Sequence, residues 1–291
     1  MFPKSVTVLA ITPETDLTKL NEQALEAAPY KPIGATEEES SGWVPAFEDQ
    51  FLFQYHGFSL LKFAIEKKSV PASAVKKLLN AKIVADEEQR GSKPGRLRRK
   101  ELKQEAKEEL LARAIPSYSE VPVFLDQARR RLLIGTATAS AASSIMGALY
   151  GASEVQLQSL PKWPGREAVT TWLCLDSDDE DHPMPDLLTA DDYALFDCPG
   201  ETGKTIRFDK ANLDDADVQL AIAAGAVLAE LAMTWDAKVS FIWKDSEVTL
   251  TGVKHLGVLE AAGPDVDAFQ NDFYLTSQTL QALVDYLEAC A

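Results

Sequence analysis

Two prolines and a glycine–proline break confine the stretch between residues 71 and 116 to a pair of helices, and that pair dictates how its surroundings connect. Proline has a fixed φ and no N–H to donate, so Pro71 suits the first turn of a helix. After it, Val75, Leu78, Leu79, Ala81 and Ile83 recur at near-helical spacing and form the expected buried side. Gly91-Ser92-Lys93-Pro94-Gly95 interrupts the pattern. A second helix is predicted from about Leu97 to Ala114, with Leu102, Ala106, Leu110 and Leu111 on one face, stopping before Pro116. Two helices joined by so short a break return antiparallel, as a helical hairpin.

The hairpin carries most of the basic residues of an otherwise acidic chain. The 291 residues include 29 Lys+Arg and 45 Asp+Glu, a formal net charge of −16. From Lys62 to Arg131, 18 basic residues stand against 10 acidic ones, which leaves 11 basic and 35 acidic residues for the rest. Electrostatic fields decay over about 8 Å at physiological salt, so a partner senses the local patch more than the total. Lys76, Lys77 and Lys82 lie on the first helix, and Lys93, Arg96, Arg98, Arg99, Lys100 and Lys103 crowd the break and the start of the second. Cations are poorly placed at a helix N-terminus, where the macrodipole is already positive. A phosphate there relieves the repulsion and releases counterions. The same charges also suit a solvated, internally salt-bridged helix pair. Glu101, Glu105, Glu108 and Glu109 supply partners at helical spacing, and charge alone leaves both readings open.

Apolar residues make up 46% of the chain, enough for a sizeable core, and the length suggests about two domains' worth. Ser5 to Ile11 alternates as a strand does, and Asp16 is placed to cap a helix with Leu17, Leu20, Ala24 and Leu25 on one side, ending at Pro29. Phe51 to Ile65 is expected to give one or two strands with Gly57 near a turn. Val121 to Leu125 and Arg131 to Thr136 should pair as strands. A small-residue helix follows over about Ser140 to Tyr150, then a helix near Glu167 to Leu173. Strands are expected around a turn at Gly200 to Gly203, and Asp214 to Met233 reads as the strongest helix. A hairpin over Val239 to Trp243 and Val248 to Thr251, and a helix from Thr276 to Ala289, close the chain. Irregular alternation with antiparallel hairpins makes α+β the natural class. The expected division is a body part over 1–66, the basic hairpin over 67–118, central strands and a helix over 119–175, and a C-terminal α+β part over 176–291.

The start of the chain has neither the basic nor the apolar region of a signal peptide, and the longest apolar stretch is too short to span a bilayer. Three widely spaced cysteines, Cys174, Cys198 and Cys290, fit a reducing compartment. A cytoplasmic location without membrane attachment is therefore expected.

Motifs for chemistry are weak. Gly200-Glu201-Thr202-Gly203-Lys204-Thr205 resembles a phosphate-binding loop, but Cys198 stands where the pattern needs glycine and Pro199 removes an N–H. The acidic run Asp176 to Asp181 with His182 lacks the spacing of a calcium loop. His56, His182 and His255 lie in dissimilar contexts without zinc-ligand spacing. The expectation is no cofactor, no metal and no catalytic residues.

In the order of its features the chain resembles the RdgC family from end to end. Gly42-Trp43-Val44-Pro45 lies where that family keeps this segment. Val70-Pro71 through Val75-Lys76, Ala81-Lys82-Ile83, Leu110-Leu111 and Arg113-Ala114 is similar in register. Ile206-Arg207, Lys210 and Leu213, then Asp272-Phe273, Leu275-Thr276, Leu280 and Leu283, match further segments. The resemblance implies a horseshoe-shaped α+β subunit whose two copies close into a ring around duplex DNA, restraining a RecA-type recombinase by competing for DNA. It implies phosphate contacts from Lys76, Lys82, Lys93, Arg96, Lys103, Arg113, Arg207 and Lys210. One departure is Ile115, where the family can place an aromatic residue; Tyr118 is close enough to substitute.

Two other readings remain. The acidic body is suited to act on a recombinase directly as a DNA mimic, and Lys204 with Thr205 is the residue pair a nucleotide-hydrolysing enzyme would use.

Overall fold

A computed structural model of the chain describes residues 2–174, 184–198, 204–245, 248–257 and 266–291. The acidic run 176–181 and the turn 200–203 lie outside them. Twelve strands among the described residues form one antiparallel sheet. They are β1 (Val6–Ile11), β2 (Glu39–Val44), β3 (Phe53–Tyr55), β4 (Phe58–Lys67), β5 (Ser117–Asp126), β6 (Arg131–Ile134), β7 (Leu157–Gln158), β8 (Leu188–Asp197), β9 (Thr205–Asp209), β10 (Val227–Trp235), β11 (Val239–Lys244) and β12 (Thr249–His255). The path runs β2-β4-β5-β6-β1-β12-β11-β10-β8-β9, with β3 beside β4 and β7 beside β1. The described helices are α1 (Glu22–Glu26), α2 (Ala72–Arg90), α3 (Arg96–Leu111), α4 (Ala139–Ser153), α5 (Arg166–Thr171), α6 (Ala216–Ala223) and α7 (Val266–Ala289). The α+β expectation holds.

Strand residues alternate between faces, and neighbouring residues therefore feed two different cores. Leu60, Phe124 and Leu133 face α7, while Leu61, Val123, Leu125 and Leu132 face the side packed by α4 and Leu25 of α1. Buried on both faces, β4 reads as a nearly continuous apolar run. Strands β8 to β12 cover only one face. In β10 and β11, Leu231, Met233, Trp235, Val239, Phe241 and Trp243 are buried, and the residues between them face solvent.

Helix α7 is fastened at its C-terminal end by Arg131, a buried cation on β6. Its guanidinium donates to Gln281 Oε1 at 2.9 Å and Asp285 Oδ1 at 2.8 Å, and also to Glu288. A buried charge needs such a full set of partners to be tolerated.

Four expectations need correction. Asp214–Met233 is not one helix: α6 ends at Ala223, Gly225 takes φ +86°, and Val227 onward is strand β10. A left-handed backbone there is natural for glycine and ends the helical hydrogen bonding, and the apolar run beyond pairs with β8 and β11. The helix expected after Asp16 is a single 3-10 turn, Leu17–Lys19, followed by α1 with its own cap at Asn21. Ala81 is exposed; only Val75 and Asp86 are fully buried on α2. The last helix also begins ten residues before Thr276.

Candidate nucleic-acid interface

Strands β4 and β5 pair along their whole length, from Phe58 opposite Asp126 to Lys67 opposite Ser117. Both helices of the hairpin are inserted between the ends of that pair. Helix α2 ends at Gly91, whose φ of +68° closes a left-handed cap with its N–H donating to Glu87 O at 2.8 Å. Helix α3 starts at Arg96 and returns. The buried residues Val75, Leu102, Ala106 and Leu111 belong to neither core of the body, so the hairpin has a small apolar seam of its own. At 1.5 Å per residue, α3 is about 24 Å long.

Arg96, Arg99, Lys100 and Lys103 recur at offsets of three and four, which places them on one face of α3. Among the described residues none of the four enters an ion pair; Arg99 Nε donates to the carbonyl of Pro94 at 3.0 Å. The first turn holds no acidic residue, and Gly95 at the N-cap has no side chain to satisfy the free N–H groups. Lys76, Lys77 and Lys93 are exposed and, among the described residues, also unpaired. Lys107 extends the stripe by one turn but is tied to Glu38 of the body.

Other cations of the predicted set have a different task. Arg98 Nε lies 3.0 Å from Asp86 Oδ1, and its Nη1 reaches Glu101 at 3.1 Å and Glu105 at 3.0 Å. The bonds to Glu101 and Asp86 hold the guanidinium's pKa above its ordinary value. Lys82 pairs with Glu109 at 3.1 Å, and Arg113 reaches the same carboxylate at 3.3 Å. Sequence reasoning grouped these with the free cations because charge counts carry no information on partners.

Arg207 and Lys210 stand elsewhere, on and just after β9, the last strand of the sheet. Seven interstrand steps separate β9 from β5 at the hairpin's root, roughly 34 Å along the sheet at ~4.8 Å each. Arg207 lies 3.4 Å from Asp209, with its guanidinium 5.3 Å from the ring centre of Tyr193. It lines an open cavity of about 720 Å³ with Lys254, Tyr193, Asp191 and Asp209. Burial raises the carboxyl pKa of Asp191, and burial together with a bond to Glu230 pushes the Tyr193 hydroxyl up to about 12. Lys254 was missed by sequence reasoning; its signal is its solvent-facing position in β12. The predicted site is thus two places: the hairpin and the β9 edge.

Among the described residues no group of three or more His, Cys, Asp or Glu side chains is arranged to hold a metal ion. Nor is any helix there long and apolar enough to cross a membrane.

Fold and charge define an α+β protein with one large antiparallel sheet, from which a cationic helical hairpin projects between two paired strands. The chain belongs to the RdgC family: the family model described as "Putative exonuclease, RdgC" matches residues 1–290. Curated relatives carry the name "Recombination-associated protein RdgC". Those of Burkholderia cenocepacia and Ralstonia nicotianae are each 32% identical over 274 residues, covering 89% of this chain and 86% of the relative. That of Janthinobacterium sp. is 28% identical over 277 residues, covering 91% and 90%. The family description names an enzyme and the relatives' names do not.

Proposed function

We propose that the chain binds double-stranded DNA without reading its sequence, encircles it as a homodimer and thereby restrains a RecA-type recombinase. The observation that carries this reading is the α3 stripe of Arg96, Arg99, Lys100 and Lys103, free of ion pairs among the described residues and projecting from an acidic body. Their reach and charge suit phosphate oxygens, which give affinity and register but no base information. The acidic surface elsewhere repels DNA and confines it to the basic elements. Arg207 and Lys210 form a second, more distant contact for the same duplex. The relatives' name, which ties them to recombination, agrees with a DNA-directed role.

A mobility-shift series with linear duplex, single-stranded and closed circular DNA tests the proposal, with mass measured in solution. Binding of duplex that weakens steeply with salt, by a dimer, is the expected result. Recombinase inhibition persisting at salt where DNA binding is lost would replace it with direct DNA mimicry by the acidic body. Release of nucleotides from end-labelled duplex in the presence of magnesium would favour the family's exonuclease description instead.

A further inference from the structure

At the end of β4 remote from the hairpin, and away from the proposed DNA contacts, half-buried aromatic rings reach the surface around the exposed His56. We propose that this surface, formed by Tyr55, His56, Phe58 and Tyr274 with Phe47 and Phe269 beside them, is a docking site for an arginine-bearing segment of a partner protein.

The turn from β3 to β4 consists of His56 and Gly57, with φ of +48° and +84°. Two left-handed residues in succession make the tight hairpin turn in which asparagine–glycine is the default. Histidine takes that place here and presents its ring edge-on to Tyr55, with centroids 4.2 Å apart at 86°. Tyr274, delivered by α7, lies 5.2 Å from the His56 ring, 6.0 Å from Phe58, and 6.3 Å from Tyr55 at 83°. The near-right angle between the two tyrosines forms a corner rather than a stack. Phe53 and Phe273, both buried and 5.4 Å apart, back it, and Phe47 stacks on Phe269 at 4.3 Å beside them. Leu275, next on α7, is 45% exposed.

Charge selects the occupant. Neither segment that builds the surface contains a lysine or arginine: there is none between Lys31 and Lys62, and none from Val266 to the last residue. Glu48 and Asp49 directly follow Phe47, and Asp267 precedes Phe269 by two positions. All three are exposed and, among the described residues, unpaired. Arg129, on the turn after β5, is already held by Asp126 and Asp285 at 2.9 Å each. Exposed carboxylates close in sequence to two of the rings, with no cation on either segment, repel phosphate and attract a cation. The planar guanidinium stacks on such rings better than a compact, strongly hydrated ammonium does. Phe58 and Lys67 end the same strand, about 30 Å apart at ~3.3 Å per residue, so a partner here leaves the hairpin free.

Fluorescence anisotropy of the full chain with labelled peptides alternating glycine with arginine, or glycine with lysine, at equal charge tests this. The expected result is at least fivefold tighter binding of the arginine peptide. Tyr55→Leu and Tyr274→Leu should each weaken it about tenfold, while D214N/D217N, acids just before and in the first turn of the remote α6, leaves it unchanged. Because the tyrosine variants can disturb α7, the wild-type chain is also titrated with methylguanidinium while the His56 ring protons are followed by NMR; a saturable shift, larger than with methylammonium, is expected. Equal affinity for the two peptides, unchanged binding in folded tyrosine variants, or no peptide binding overturns the proposal. DNA binding is read separately in each variant.

Discussion

Arg98 of α3 reaches across the hairpin break to donate to Asp86 of α2, whose carboxylate is buried and also lies 3.3 Å from Arg90 Nε as an ion pair. One basic residue of the predicted DNA set is therefore spent on holding the two helices together. Arg98→Ala is expected to loosen the hairpin, seen as faster hydrogen exchange and trypsin cleavage between residues 72 and 111. The salt dependence of DNA binding by the folded fraction should not change. A slope reduced by a full phosphate contact would show that Arg98 touches DNA after all.

The free stripe makes the opposite prediction. Arg96→Ala, Arg99→Ala, Lys100→Ala and Lys103→Ala leave no buried carboxylate unpaired, so stability should change by no more than about 0.5 kcal/mol each. Each should lower the slope of log affinity against log salt by about 0.9 if it removes one phosphate contact. Titrations at several salt concentrations measure this. A uniform loss of affinity with an unchanged slope would contradict direct contact.

The hairpin was legible in the sequence because its signals are local: Pro71, the Gly91–Gly95 break and Leu102, Ala106 and Leu111 at helical spacing lie within one stretch. Asp214–Met233 misled because a continuous apolar run fits a buried helix as well as a strand covered on one face. Only the break at Gly225 separates α6 from β10. The partners of Arg98, Lys82 and Arg131 were not legible, since pairing depends on how helices return and which strands adjoin. The aromatic surface was equally hidden, for it joins Tyr55 and Tyr274 across more than two hundred residues. Sequence identified the cations; geometry separated free from committed.

Below about pH 4.5 the fold should weaken through Glu66. This buried carboxylate on β4 accepts from the Tyr30 hydroxyl and, at 2.7 Å, from the Ile33 N–H, and those bonds hold its pKa below the ordinary value of 4.5. A carboxyl depressed in the folded state contributes stability above its unfolded pKa, and the contribution is lost as pH falls through the folded value. The stability gap between wild type and Glu66→Gln in urea should be constant from pH 6 to 7 and shrink below about 4.5. The same bond, with burial, pushes Tyr30 up to about 12, so in the wild type its ionisation by ultraviolet absorbance should come after that of ordinary tyrosines. A gap independent of pH would rule out the linkage.

Leu102 tests whether the hairpin is a separate unit of stability. It is 3% exposed, packs in the α2–α3 seam and belongs to neither body core. Leu102→Ala removes buried apolar volume that a two-helix seam can partly close, so a local cost of about 2–3 kcal/mol is expected, at the lower end for such cavities. Because the seam is disconnected from the sheet, that cost should appear as faster amide exchange from Ala72 to Leu111, with β4, β5 and α7 as protected as before. DNA binding should fall with the population of formed hairpin and recover when DNA is in excess, since a ligand that binds the ordered form restores it by mass action. Equal loss of protection in the hairpin and in β4 or β5 would mean that the two fold as one unit. The stripe on α3 would then be positioned by the body rather than by its own seam.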